Sequence, residues 1–242
     1  MAITRADSQQ ADQMAQDLKE TYLMNVVKDW GEGTEADAQG WSGGEWSLEE
    51  LQTLQKGVVD LASAMGGPEK FIQNIGSITI SQVEMKYRGL ASVHGIKFTA
   101  SEISIDPWTV VHELAHVWDA NAGWGLSKAL ESYTGGRTNL VAMVLQRVRG
   151  GCDEKHRMPG CNRFGYFYGD VPPAGSDQNF NRKEDFAESV TAYVYPALVQ
   201  GRVDRFKDDD SYRDRLYYSD YTQTQRWAFV DGLVKGTIPV SG

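Results

Sequence analysis

Apolar residues recur at steps of four from Met14 through Leu18, Tyr22 and Val26 to Trp30, a spacing that predicts an amphipathic helix over 8–30. A glycine-rich acidic connector, "GEGTEADAQGWSGGEW", follows it. Ser47, with Glu50 three positions on, gives a capping-box start to "LEELQTLQKGVVDLASAMGG", and the pair Gly66 and Gly67 marks its end. Pro68 then opens a short helix, "PEKFIQNIG".

From Ser77 to Ile105 the texture changes to β-branched alternation broken by Gly89 and Gly95, which predicts a small antiparallel sheet of two to four strands. Asp106 and Pro107 supply an N-cap and a first helical proline, so a helix should run from there to about Asn121–Gly123. "LSKALESYTGG" and "NLVAMVLQRVRGG" read as two more helices, ahead of an irregular stretch from Gly150 to Phe180. Asn181 caps "RKEDFAESVTAYVY", Pro196 stops it, and "TQTQRWAFVDGLVKG" forms the last helix. The expected class is α+β, mostly helical, in a single domain spanning 1–242.

Composition narrows the partners. The 242 residues are 41% apolar, enough for a real core, and carry a net charge of −9 with no Lys/Arg cluster, which argues against nucleic acid. No window approaches the roughly 18 apolar residues needed to span a bilayer. The start, "MAITRADSQQADQMAQ", lacks the basic-then-apolar pattern of a signal peptide. Cys152 and Cys161 flank His156 in a polar loop; a local disulfide there would mean an oxidising, secreted setting, and the alternatives are free thiols or a metal held with His156, although that spacing supplies only three ligands.

The chemistry lies in "VVHELAHVWDA", Val110–Ala120. Residues four apart on a helix share a face one turn apart, so His112 and His116 can bind one zinc ion through two imidazole nitrogens. Glu113, turned about 100° from His112, falls beside such a metal, where a carboxylate can take a proton from water and later deliver it to a leaving amine. The plainer alternative is a buried helix whose histidines bond to backbone or carboxylates.

A catalytic zinc needs a third protein ligand. The short-spaced third histidine of H-E-x-x-H-x-x-G-x-x-H is absent, since position 119 is Asp and position 122 is Ala. His94 and His156 sit outside any helix-ligand pattern. Glu184 and Glu188, four apart in "NRKEDFAESVTAY", share a helical face: one can bind zinc while the other orients a ligating imidazole. A solvated pair of glutamates is the ordinary alternative, and Asp185 is a competing ligand that lies off the shared face. Asp119, three beyond His116, either orients that imidazole or ties the helix to a neighbour.

"HELAHVWD" followed by "EDFAES" resembles the gluzincin metallopeptidases, and within them the anthrax lethal factor and Pro-Pro endopeptidase group, with its H-E-x-G-H-x-x-D and E-x-F-A-E blocks. The resemblance covers about 45 residues. It implies a zincin-like domain, with an N-terminal helix and connector over 1–46 and a catalytic core over 47–242. It also implies one Zn2+ per chain bound by His112, His116 and Glu184, Glu113 as general base and acid, and Glu188 and Asp119 in supporting positions. Two residues depart from the pattern: Ala115 replaces the usual glycine, and Asp177 stands where the family has a tyrosine that would help hold the oxyanion. Tyr166 and Tyr168 are the nearby substitutes, Tyr168 being preferred. Zincins bind extended substrate on the strand beside the active helix, here "GIKFTASEIS". The resulting expectation is an endopeptidase acting on a peptide or unstructured protein segment; its rival is a zincin-like binding or effector module without hydrolysis.

Overall fold

A computed structural model describes residues 5–27, 46–83, 85, 88–99, 105–138, 166–167, 181–199 and 220–238. Helix takes up 66% of them, beside a small mixed sheet of four strands. The chain divides into two compact units, Met1–Asn121 and Ala122–Gly242.

In the first unit, α1 (Arg5–Tyr22) buries Met14 and Leu18. The helix stops eight residues short of Trp30. Leu23 turns into the left-handed region at φ 57, and the "MNV" that follows is β1 (Met24–Val26), a strand rather than a last helical turn. The four-step spacing runs on through this strand, where Val26 is half-buried and pairs with Ile80. Next, α2 (Leu48–Met65) starts at the expected capping box: Ser47 Oγ accepts from Glu50 N–H at 3.2 Å, and Glu50 Oε2 accepts from Ser47 N–H at 2.8 Å. It ends at Gly66, whose φ of 93 suits glycine. Then α3 (Pro68–Ile75) buries Phe71 and Ile75.

The strands β2 (Ile78–Val83), β3 (Gly89–Ser92) and β4 (Gly95–Thr99) complete a sheet in the order β1-β2-β4-β3. It is mixed, not antiparallel as the sequence suggested. β1 and β2 run parallel because α2 and α3 form the crossover between them; β2 and β4 also run parallel, and only the hairpin β3–β4 is antiparallel. Local alternation fixes which residues face the core but carries no information on strand direction. The helix α4 (Pro107–Asn121) packs against α2, α3 and β3. Gly57 makes the α2 contact possible, since a Cβ there would come within 2.6 Å of Val110 Cβ.

The second unit gathers α5 (Gly125–Thr134), α6 (Arg182–Val194) and α7 (Gln225–Val234), each packed on the other two, with the two-residue strands β5 (Arg137–Thr138) and β6 (Tyr166–Phe167) paired antiparallel. α5 stops at Gly135, φ 73, and α6 yields to Tyr195 ahead of Pro196. Thr224 Oγ1 caps α7 by accepting from Trp227 N–H at 3.1 Å. The helix expected over "NLVAMVLQRVRGG" lies outside the described residues. Among the described residues, no helix is long and apolar enough to cross a membrane.

Candidate metal centre

The start of α4 is built as the sequence implies. Asp106 Oδ1 accepts from Thr109 N–H at 2.7 Å, its carbonyl accepts from Val110 N–H at 3.1 Å, and Pro107 occupies the first turn, where no N–H is needed. Val110, Val111, Leu114, Ala115 and Val117 are fully buried, which fixes the rotation of the helix and leaves His112 and His116 half-buried on one face. Ala115 adds its methyl to that packed side, so the departure from glycine is absorbed by the core.

The imidazoles of His112 and His116 meet edge to face, with ring centroids 4.7 Å apart and planes at 83°. Their Nε2 atoms stand 3.1 Å apart. Two nitrogens bound to one tetrahedral zinc at 2.0–2.1 Å lie about 3.3–3.4 Å apart, so the pair needs to shift by only a few tenths of an ångström to ligate. The same separation suits a hydrogen bond in which one Nε2 carries a proton and the other accepts it. Glu113 is buried beside them, with its side chain against Gly89 of β3, and Asp119 is wholly buried further along the helix.

In the second unit, Asn181 Oδ1 accepts from Lys183 N–H at 2.9 Å and Glu184 N–H at 3.4 Å, fixing the first turn of α6. Glu184 is half-buried there and Glu188 is buried. Asp185 is no ligand candidate. It and Arg226 are 0% exposed and joined by a two-pronged ion pair, Arg226 Nε to Asp185 Oδ1 at 2.7 Å and Nη2 to Oδ2 at 2.8 Å. The Tyr166 hydroxyl also donates to Asp185 Oδ2, at 2.7 Å. Burial first, and then the Asp185 charge, push the Tyr166 phenol far above its usual range. That hydroxyl is committed to the ion pair and is not the oxyanion donor the loop position suggested as an option.

Among the described residues, His112, His116 and Glu184 are the side chains whose donor types suit a metal ion. Two imidazoles and a carboxylate are the donor set zinc takes in catalytic sites, three protein ligands with one position open. His94 does not join them; it is exposed in the turn between β3 and β4. Tyr168, Asp177, Cys152, His156 and Cys161 lie outside the described residues.

Two features escaped the sequence reading. Arg226 stands three, four and seven positions before Phe229, Val230 and Leu233, on the apolar stripe of α7, and an arginine in such a stripe requires a buried carboxylate. The other concerns the sheet edge: β4 lies between β2 and β3, so the outer strand beside α4 is β3 and not the "GIKFTASEIS" segment.

The chain matches no protein-family model, no curated protein and no solved structure.

Proposed function

We propose that this chain is a zinc-dependent endopeptidase of gluzincin type, in which His112, His116 and Glu184 hold one zinc ion and Glu113 is general base and acid. The observation that carries the reading is the His112–His116 pair, with Nε2 atoms 3.1 Å apart beside a buried glutamate. The donor group completed by Glu184 supports it.

Zinc, when bound, supplies Lewis acidity that activates water and polarises the scissile carbonyl. Glu113 accepts the proton of the attacking water and passes it to the departing amine. Glu188 and Asp119 orient ligating side chains, a role that sets tautomer and ring plane. An extended peptide or unstructured segment pairs with the outer edge of β3. With Tyr166 tied to Asp185, Tyr168 is the tyrosine assigned to the oxyanion.

A second reading, a zincin-like module that binds without hydrolysing, draws support from that same commitment of Tyr166 and from Asp177 at the tyrosine position. Glu113→Gln separates the two. The peptidase loses turnover on a peptide library while keeping its zinc content. Hydrolysis that persisted in the variant would remove Glu113 from the mechanism.

A further inference from the structure

We infer that Gly89 is a positioning residue for Glu113: the space left by its missing Cβ is where the Glu113 side chain lies. An ideal Cβ on Gly89 would fall 2.5 Å from both Cγ and Cδ of Glu113, and would press on Oε1 as well. Carbon atoms do not approach that closely without one of them moving.

The backbone does not require a glycine here. Gly66, Gly67, Gly76, Gly123, Gly135 and Gly236 have positive φ, and Gly89 is not among them. Gly89 is the first residue of β3, opposite Phe98 in ordinary antiparallel register, where any residue with β propensity would pair at least as well. A glycine inside a strand marks a close approach, and the atoms that approach are those of one carboxylate side chain. The register also sets the direction of the strand. Thr99 N–H donates to the Arg88 carbonyl at 3.0 Å, so the alternate residues Gly89 and Ala91 turn their backbone N–H and C=O away from β4. Glu113 is thereby held against the outer strand at a residue whose peptide groups face outward.

Gly95 shows the contrasting case. A Cβ there would strike the Thr79 backbone, carbonyl oxygen included, so substitution would part β2 from β4. At Gly89 the obstacle is the far end of a flexible side chain. A methyl group there displaces the carboxylate and leaves sheet and helix in place.

The inference rests on Glu113 being the general base, and the experiment separates the two ideas. Gly89→Ala should keep the native zinc content and a thermal midpoint within a few degrees, while kcat falls about 10- to 100-fold with KM nearly unchanged. A crystal structure of the same variant should find the Glu113 carboxylate moved and the β3 and α4 backbones in place. Four outcomes overturn the inference: an unmoved carboxylate, β3 lifted from α4, loss of cooperative folding, or KM rising with kcat intact. If the native protein cleaves no peptide, the peptidase reading fails, and the variant's structure alone still decides whether Gly89 sets the position of Glu113.

Discussion

Two polar clusters, one buried and one half-buried, are built in different ways. Around Asp185 the partners are all supplied by the protein: Arg226 takes both oxygens, Tyr166 adds a hydroxyl, and neither charge touches solvent. At His112 and His116 two imidazoles turn the same nitrogen toward each other on a half-buried face. A closed network of that first kind fixes structure, whereas convergent acceptors need a shared proton or a cation. Neighbouring carboxylates in one "EDFAES" segment thus differ: Asp185 is taken up by the buried ion pair, and Glu184 and Glu188 are the two assigned to the proposed metal site.

The largest effect should come from opening the closed cluster. Arg226→Met strands a buried carboxylate and should cost about 3–5 kcal/mol in chemical denaturation, while a double change, Arg226→Met with Asp185→Leu, should recover most of it. A loss below about 1 kcal/mol would mean that the buried ion pair does not hold the fold together. At the other cluster the cost should appear in metal affinity rather than folding. Glu184→Ala should lose most of the bound zinc, and Glu188→Ala should weaken binding or activity about 10- to 100-fold, read by chelator competition. Normal zinc binding by Glu184→Ala would mean another group is the third ligand.

A smaller effect is expected at Gly57→Ala. The methyl would press on Val110, and overpacking of about 1–3 kcal/mol should outweigh the roughly 1 kcal/mol gained in helix propensity. Because Val110 precedes His112 by only about half a turn, the midpoint of thermal unfolding and the zinc affinity should fall together.

The smallest lies in alkali. Burial raises the phenols of Tyr166, Tyr221 and Tyr193, the last to about 12, with the Asp231 hydrogen bond adding to it. Folded values above the unfolded one, about 10, mean that this contribution is complete below pH 10 and is lost as pH rises through the folded values. Phenolate absorbance should therefore appear together with unfolding of the second unit. Early, gradual ionisation of all three while helicity persists would contradict it.

Capped helix starts were legible in the sequence because caps are local: Ser47, Asp106 and Asn181 make the expected bonds within three residues, and Thr224 adds one the sequence reading did not name. The His112–Glu113–His116 spacing was legible for the same reason, since helical rotation alone puts the histidines on one face. Relations between distant segments were not. Nothing near Met24 says that it pairs with Ile78, nothing in the alternation of Ile78–Thr99 says that β4 is interior, and 41 residues separate Asp185 from Arg226. Leu23 is the instructive error, because its left-handed turn breaks the helix while the apolar spacing continues unbroken.

Elemental analysis of the purified protein beside His112→Ala decides whether His112 and His116 share a metal. About one zinc per chain should be present in the native protein and absent from the variant. No zinc in either after incubation with excess metal, or equal zinc in both, would contradict it and leave the 3.1 Å approach as a hydrogen bond between two structural histidines.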